Sequence, residues 1–194
     1  YLESRSDEFS EWIKVLKYAD LFNAVNQATD VFTVLAPTND AMYEFYTQKG
    51  VSSIEELGQT YARGLAEYHI MNDSIQRDDF VAGGELPVKT LSGDVLEVSF
   101  DESGEGGFNS VYINKEAHVK EFAISTANGL VYVLDDVLSP AIETVYERLC
   151  GHEENRIFRA AVELTGWKDE LSIVSGINPS VPGSTSEVRR YFTV

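Results

Sequence analysis

The apolar residues among the first 25 positions recur at intervals of three and four, which is the period of a helix with one buried face. The residues of this stripe are Phe9, Trp12, Ile13, Leu16, Leu21, Phe22 and Val25. Asp7, just before the stripe, is predicted to be the N-cap, because its carboxylate can accept from free backbone N–H groups. The chain is therefore expected to open with an amphipathic helix that other elements must cover.

A buried strand and the start of a second helix are predicted next. Residues 31–36 read Val-Phe-Thr-Val-Leu-Ala, a β-branched and aromatic run. Pro37 is expected to end the strand because proline has no N–H to donate. Thr38, Asn39 and Asp40 are suited to cap the following helix. This segment therefore predicts a corner between a strand and a helix.

A third helix is predicted from residue 52 to residue 70, and the hydrophobic period then changes. Ser52 and Glu55 have the spacing of a capping box, and an apolar stripe runs from there to Ile70. Beyond residue 85, short apolar runs separated by turn residues predict strands at 86–91, 95–100, 111–113, 117–119, 122–127 and 130–137. Asn128 and Gly129 predict a type I′ hairpin turn between the last two. Helices followed by a mostly antiparallel sheet define an α+β fold class.

The last fifty residues repeat the pattern of the first helix. At a constant offset of 146 residues, Trp12, Leu16, Leu21 and Val25 align with Phe158, Val162, Trp167 and Leu171. Residues 191–194, Tyr-Phe-Thr-Val, then repeat residues 31–34, Val-Phe-Thr-Val. We therefore expect one domain over 1–142, followed over 143–194 by a linker helix and the incomplete N-terminal part of a second copy.

Composition excludes several classes of protein. The 194 residues carry 32 acidic and 15 basic side chains, a formal charge of −17, and 43% of them are hydrophobic. Without a basic stripe to displace counterions, the chain is not expected to bind nucleic acid or an anionic membrane surface. No apolar run reaches the roughly 20 residues that span a bilayer. The single cysteine, Cys150, cannot form an intramolecular disulfide.

No motif of an enzyme, a cofactor site or a metal site stands out. The three histidines, His69, His118 and His152, accompany neither a nucleophile elbow nor a metalloprotease, phosphate-loop or dinucleotide motif. The acidic loop 101–107 does not fit a calcium loop, because Tyr112 stands where a bidentate acid is required. We interpret it as a solvated hairpin connection. We expect no catalytic residue, no cofactor and no bound metal.

Three segments resemble conserved elements of the fasciclin domain family. Residues 32–42, Phe-Thr-Val-Leu-Ala-Pro-Thr-Asn-Asp-Ala-Met, resemble its first block, Tyr68-His69-Ile70 its Tyr-His element, and residues 128–140 its second block. The resemblance covers roughly residues 5–142. It implies a fasciclin-like fold of about seven strands in a wedge or sandwich with helices packed alongside. It also implies adhesion or extracellular binding rather than catalysis.

The resemblance also assigns residues. It implies that Tyr68 and His69 are the candidate binding residues, since the Tyr-His region of animal relatives is linked to integrin binding. It implies that His69 hydrogen-bonds near the corner, to Asn39 or Asp40. The residues of the structural motif are Thr38, Asn39, Asp40, His69, Asn128 and Gly129.

Three functions remain as hypotheses. The first is a non-enzymatic extracytoplasmic adhesion or protein-interaction module of a cell-surface protein, with a cell-surface or matrix protein as partner. The second is a small-ligand or glycan-binding module, which requires a concave aromatic-lined pocket. The third is a hydrolase, which would need a carboxylate pair that sequence alone does not place.

The resemblance also bears on location. The chain resembles tandem fasciclin-like proteins of the Bacteroidetes type. The resemblance implies a lipoprotein at the bacterial outer membrane or cell surface, with a lipid anchor upstream, a second such domain downstream and no insertion of this segment into the membrane. Residues 72–75, Asn-Asp-Ser-Ile, fit an Asn-x-Ser sequon and a short bacterial O-glycosylation pattern.

Overall fold

Helices fill the first half of the first unit and strands the second half. The computed structural model describes residues 1–27, 30–81, 84–101, 111–139 and 155–171. The chain divides into two units, residues 1–140 and 141–194. In the first unit the helices are α1 (Ser6–Tyr18), α2 (Phe22–Val25), α3 (Asn39–Lys49), α4 (Ile54–Leu57), α5 (Gln59–Tyr68) and α6 (Arg77–Val81). Its strands are β1 (Phe32–Pro37), β2 (Ile70–Met71), β3 (Gly84–Glu85), β4 (Glu97–Phe100), β5 (Val111–Ile113), β6 (Ala117–Thr126) and β7 (Gly129–Leu134).

The strands form one seven-stranded sheet in the order β2-β1-β7-β6-β5-β4-β3. The β1–β7 pair is parallel and every other pair is antiparallel. The two ends of the sheet approach each other, because Thr90 bridges to Met71 and the Leu91 N–H donates to the Ile70 carbonyl at 2.7 Å. The predicted α+β class and the strand number are confirmed.

Helix α1 packs its predicted stripe against α3, α5 and β1. Trp12 and Leu16 are fully buried, which is the outcome that the helical period indicates. The prediction of Asp7 as N-cap is wrong. A 3-10 turn over Glu3–Arg5 runs directly into α1, so Asp7 lies inside the first turn, where a carboxylate faces the positive end of the helix dipole.

Arg5 fixes the start of α1 to the sheet. Its guanidinium donates to both carboxylate oxygens of Glu121 on β6, at 3.0 and 2.9 Å, and also bonds Glu8. The pairing holds the pKa of the Glu121 carboxyl below its ordinary value. A bidentate pair of this kind fixes orientation as well as distance.

The third predicted helix is two helices. Gly58, with φ +85°, separates α4 from α5, and α5 ends at Tyr68 because Ile70 joins β2. The predicted capping box is also wrong. Ser53 rather than Ser52 precedes α4, and its hydroxyl bonds the Glu55 carboxylate instead of the helix backbone.

Two strand predictions differ from the structure. Residues 86–91 are predicted to form a strand, but β3 ends at Glu85, and residues 86–91 make only single backbone bonds and the bridge at Thr90. The predicted strands 117–119 and 122–127 are a single strand, β6. A bulge between Glu121 and Ile124, with Ala123 at φ +49°, shifts the alternation of side chains within it. Apolar alternation breaks at such a bulge although the strand continues.

The hairpin between β6 and β7 forms as predicted, but its turn does not. Ala127 and Asn128 are the turn residues, and Gly129 begins β7. The pair of left-handed residues that a type I′ turn requires occurs instead at Asn114 and Lys115, with φ 54° and 60°, between β5 and β6.

The lack of a side chain at Gly129 allows β7 to approach β1. Gly129 lies opposite Phe32 in the parallel register and has φ +144°. A Cβ atom at residue 129 would stand 1.8 Å from the carbonyl oxygen of Phe32. Glycine is therefore required by the space between two backbones.

The second unit contains α7 (Arg156–Leu164) and α8 (Lys168–Leu171) among its described residues. The apolar side chains of Ile157, Phe158, Leu164 and Trp167 are more than half exposed. The backbone of this segment matches the α1–α2 corner at an offset of 146 residues. Three backbone hydrogen bonds recur at this offset. In the first unit they run from the N–H groups of Ala19, Leu21 and Val25 to the carbonyls of Val15, Leu16 and Leu21. In the second unit they run from the N–H groups of Thr165, Trp167 and Leu171 to the carbonyls of Ala161, Val162 and Trp167.

We predict that Gly129→Ala lowers the free energy of unfolding by about 3 kcal/mol or more, because the new methyl group overlaps the Phe32 carbonyl. The matched control is Gly50→Ala. Gly50 also has positive φ, +69°, but nothing lies within 4 Å of the added carbon. Its loss should be about 1 kcal/mol, the cost of a left-handed L residue. Chemical denaturation measures both, and equal losses would contradict the close-approach account.

Candidate functional site

Asn39 joins the corner after β1 to α1. Its Oδ1 accepts from the Glu11 N–H at 2.9 Å, and its Nδ2 donates to the Asp7 carbonyl at 3.0 Å. Asp7 and Glu11 are one helical turn apart, so the amide lies across the backbone of α1. The Ser10 hydroxyl also contacts the amide, at 3.1 Å from Nδ2. One side chain therefore holds α3 and the end of β1 on α1.

The other two corner residues act locally. Thr38 is the N-cap of α3, and its Oγ1 accepts from the Ala41 N–H at 3.3 Å, as predicted. Asp40 is exposed in the first turn of α3, where its carboxylate interacts favourably with the positive end of the helix dipole.

His69 is fully buried between α5 and the segment that follows β7. Its Nδ1–H donates to the Leu65 carbonyl at 2.8 Å, and its Nε2 accepts from the Leu138 N–H at 3.1 Å. The expected bond to Asn39 or Asp40 is wrong. The Trp12 ring of α1 packs on the imidazole, with 4.9 Å between ring centroids, and Asn39 bonds the backbone of α1 instead.

The burial of His69 makes it a neutral residue. Burial lowers the pKa of its imidazole to about 4, against a smaller opposing effect of the Leu65 carbonyl. The neutral ring is also what both bonds require, because a proton on Nε2 would confront the Leu138 N–H. His69 therefore stabilises the fold and is not positioned to touch a partner.

Tyr68, unlike His69, is partly exposed, although the two rings lie edge to face with their centroids 6.3 Å apart. Its ring packs against the buried cluster inside the sheet, and its Oη accepts from Asn114 Nδ2 at 2.9 Å. Burial raises the pKa of the phenol. The two residues of the Tyr-His pair therefore differ in exposure: His69 lies in the core, and Tyr68 is half-buried at the edge of a cleft.

This cleft, the Tyr68 cleft, has a volume of about 470 Å³. The residues that line it are Tyr68, Gly84, Glu85, Val95, Glu97 and Asn114. Its volume lies within the range of ligand sites, and its polar groups are a phenol, an amide and two carboxylates. Such groups can bind a ligand through hydrogen bonds and charge.

Sequence reasoning missed Asn114, Glu85 and Glu97. Asn114 has φ +54° and is bonded to the backbone of Glu97. Its N–H donates to the Glu97 carbonyl at 2.7 Å, and its Oδ1 accepts from the Glu97 N–H at 2.9 Å. The available signal was an asparagine in the short connection between two predicted strands. Nothing in the local sequence marked the two glutamates.

Asn128 bonds the backbone at the end of α2. Its Nδ2 donates to the Val25 carbonyl at 2.7 Å and to the Gln27 carbonyl at 3.1 Å. It therefore joins the end of α2 to the β6–β7 hairpin, beside the close approach of Gly129.

The remaining titratable candidates do not assemble a second site. His118, expected at the solvent face, is half-buried, with its ring 5.2 Å from that of Tyr112 and its Nδ1 3.5 Å from Asp135. His152, Cys150 and residues 102–107 of the acidic loop lie outside the described residues. Within the described ranges, no group of three or more His, Cys, Asp and Glu is placed to hold a metal ion.

Among the described helices, none combines the length and the apolarity that a membrane span requires.

The architecture is that of an α+β module whose seven-stranded sheet is covered by helices at one end. A model of the fasciclin domain family matches residues 7–140, and the chain belongs to that family. Human periostin is 26% identical over 173 residues, covering 89% of this chain and 18% of periostin. The transforming growth factor-beta-induced protein ig-h3 of Oryctolagus cuniculus is 30% identical over 148 residues, covering 73% of this chain and 19% of that protein.

The pig (Sus scrofa) ig-h3 protein is likewise 30% identical, over 145 residues. The chain thus spans less than a fifth of the length of these curated relatives. A solved fasciclin domain pair from the insect cell adhesion molecule fasciclin I aligns with 86% of this chain and 56% of its own, at 19% identity and a TM-score of 0.46.

We predict that His69 makes the protein acid-sensitive. Its pKa is about 4 when folded and about 6.5 when unfolded, so the unfolded state takes up the proton first as the pH falls. The free energy of unfolding should therefore fall between pH 6.5 and pH 4, with about 2 kcal/mol lost from this residue by pH 5.

The measurement is urea denaturation at pH 7.5 and pH 5. His69→Gln should be less stable at pH 7.5 and should lose less on acidification, so its deficit shrinks at pH 5. His118→Gln, the matched control, should keep the acid loss of the parent. A His69→Gln deficit that is unchanged between the two pH values would contradict the prediction.

Proposed function

We propose that this chain is a non-enzymatic extracytoplasmic adhesion or protein-interaction module of a cell-surface protein. Membership of the fasciclin domain family over residues 7–140 carries the proposal, since it implies adhesion or extracellular binding. The partner is a cell-surface or matrix protein. The net charge of −17 argues against nucleic acid as the partner.

Tyr68, rather than His69, is the residue of the Tyr-His pair that meets the partner. Tyr68 is half-buried at the rim of the Tyr68 cleft, whereas both ring nitrogens of His69 are engaged inside the core. Tyrosine is a frequent anchor at protein interfaces because its ring is apolar and its hydroxyl forms a hydrogen bond.

A small-ligand or glycan-binding module is the second candidate. The volume of the Tyr68 cleft and its polar lining favour it, but among the described residues that line the cleft Tyr68 alone is aromatic. A second cleft includes the rings of Tyr1, Phe22 and Phe32, but its space for a ligand is smaller, about 110 Å³. The protein-binding role is therefore preferred.

The second unit is proposed to be the start of another fasciclin-like domain, giving a tandem protein. The repeat of the α1–α2 corner by α7 and α8 at one constant offset supports this. Asp20 and Gly166, the left-handed residues of the two corners, stand at that same offset. We further propose a bacterial surface lipoprotein of the Bacteroidetes type, with its lipid anchor upstream.

The test is adhesion of beads coated with the chain to immobilised matrix proteins, beside a glycan array and a hydrolysis screen. Beads should adhere to a protein surface, and Tyr68→Phe should reduce adhesion at least fivefold because it removes the hydroxyl that Asn114 holds. Tyr43→Phe is the matched control, since Tyr43 is 52% exposed on α3. Adhesion to no protein, binding to glycans alone, or turnover in the screen would contradict the proposal.

A further inference from the structure

Two glutamates of the Tyr68 cleft face each other across a strand pair. Glu85 on β3 and Glu97 on β4 are direct partners in the antiparallel register, and both are exposed. Like charges in directly opposed positions destabilise a sheet. The arrangement lowers the stability of the edge of the sheet unless a cation shares the two carboxylates.

The described residues of the chain place little positive charge beside these two carboxylates. The Nζ of Lys115 lies 3.8 Å from Glu97 Oε1, with both side chains more than half exposed, and a pair of this kind contributes little. Among the described residues, no basic group lies within 4 Å of Glu85. The negative charge of the cleft is therefore only partly compensated.

The other wall of the cleft carries an oriented phenol. Asn114 Nδ2 donates to Tyr68 Oη, and within the described part of the chain the phenol's own proton has no acceptor. The carboxylates of Asp94 and Glu116 lie near enough to raise the pKa of that phenol, in addition to the effect of burial. An aromatic ring, a free O–H donor and opposed carboxylates thus surround one volume.

We infer that the Tyr68 cleft binds an arginine side chain of the protein partner, with the guanidinium shared by Glu85 and Glu97 beside the Tyr68 ring. A planar guanidinium can donate to two carboxylates at once and stack on an aromatic face, which an ammonium group does less well. The Tyr68 hydroxyl is then free to donate to a backbone carbonyl of the same segment. A neutral glycan would leave the repulsion between the glutamates in place.

The existence of a protein partner rests on the proposed function, whereas the preference for a guanidinium rests on the cleft alone. The excess of negative charge over the whole chain adds long-range attraction for a basic segment. Binding of an isolated arginine probe can therefore be tested without an adhesion assay.

The experiment is an NMR titration of the full chain, labelled with nitrogen-15, with the capped tripeptide acetyl-Gly-Arg-Gly-amide. Backbone signals of Glu85, Glu97 and Asn114 should shift in a saturable manner in the millimolar range. The acetyl-Gly-citrulline-Gly-amide peptide, a neutral isostere, should bind at least tenfold more weakly, and the lysine peptide should be intermediate.

Variants of the cleft sharpen the test. Glu85→Gln and Glu97→Gln should each weaken the arginine peptide at least fivefold while unfolding at the same or a higher denaturant concentration, because each relieves the repulsion. Lys115→Gln should tighten binding, since it removes the internal competitor. Glu56→Gln is the matched control, an exposed carboxylate on α4 that should change neither property.

Four results would overturn the inference. They are equal shifts with the citrulline peptide, shifts spread over the acidic surface, saturable binding of a neutral trisaccharide in the same cleft, and unchanged affinity in both glutamate variants. Arginine binding without bead adhesion would support the cleft chemistry and contradict the adhesion role. Adhesion without arginine binding would do the reverse.

Discussion

The structure depends on the way helix α1 is held from both sides. Asn39 bonds the backbone of α1 at Asp7 and Glu11, and the Trp12 ring of the same helix packs on the imidazole of His69. His69 in turn bonds the Leu138 N–H beyond β7. The three segments that resemble the family's elements also bond one another directly, because β1 pairs with β7 and the Leu35 N–H donates to the His69 carbonyl at 2.9 Å. Helix α1 adds a contact to the first two of them. Losing these contacts would weaken the packing of α1 on α3 and α5.

The sequence predicted the elements better than their contacts. The period of the α1 stripe and the corner at Thr38 are local patterns, and both appear in the structure. The partner of His69 was mispredicted because the packing of Trp12 on the imidazole depends on the tertiary structure and not on the local sequence. The turn at Asn128 was mispredicted for a related reason, since the space beside Phe32, rather than turn preference, determines the need for Gly129.

The same distinction applies to the candidate site. Tyr68 was identified from its segment, but the cleft around it is built by strands β3 and β4 and by the turn at Asn114, which are distant in sequence. The register that opposes Glu85 and Glu97 cannot be read from residue types, because a shift of one position would place either side chain on the other face of the sheet. The net charge of −17, first a reason to exclude nucleic acid, now describes a surface suited to a basic partner.

The central claim is tested most directly by removing the amide of Asn39. Asn39→Ala should lower the free energy of unfolding by about 2 kcal/mol, since it removes both bonds of the amide, to the Asp7 carbonyl and from the Glu11 N–H, that hold α3 on α1. It should also speed hydrogen exchange at the Glu11 amide. Ser10→Ala, which leaves both backbone bonds intact, should cost less than about 0.5 kcal/mol. Equal effects of the two substitutions, or an unchanged Glu11 exchange rate, would contradict the account.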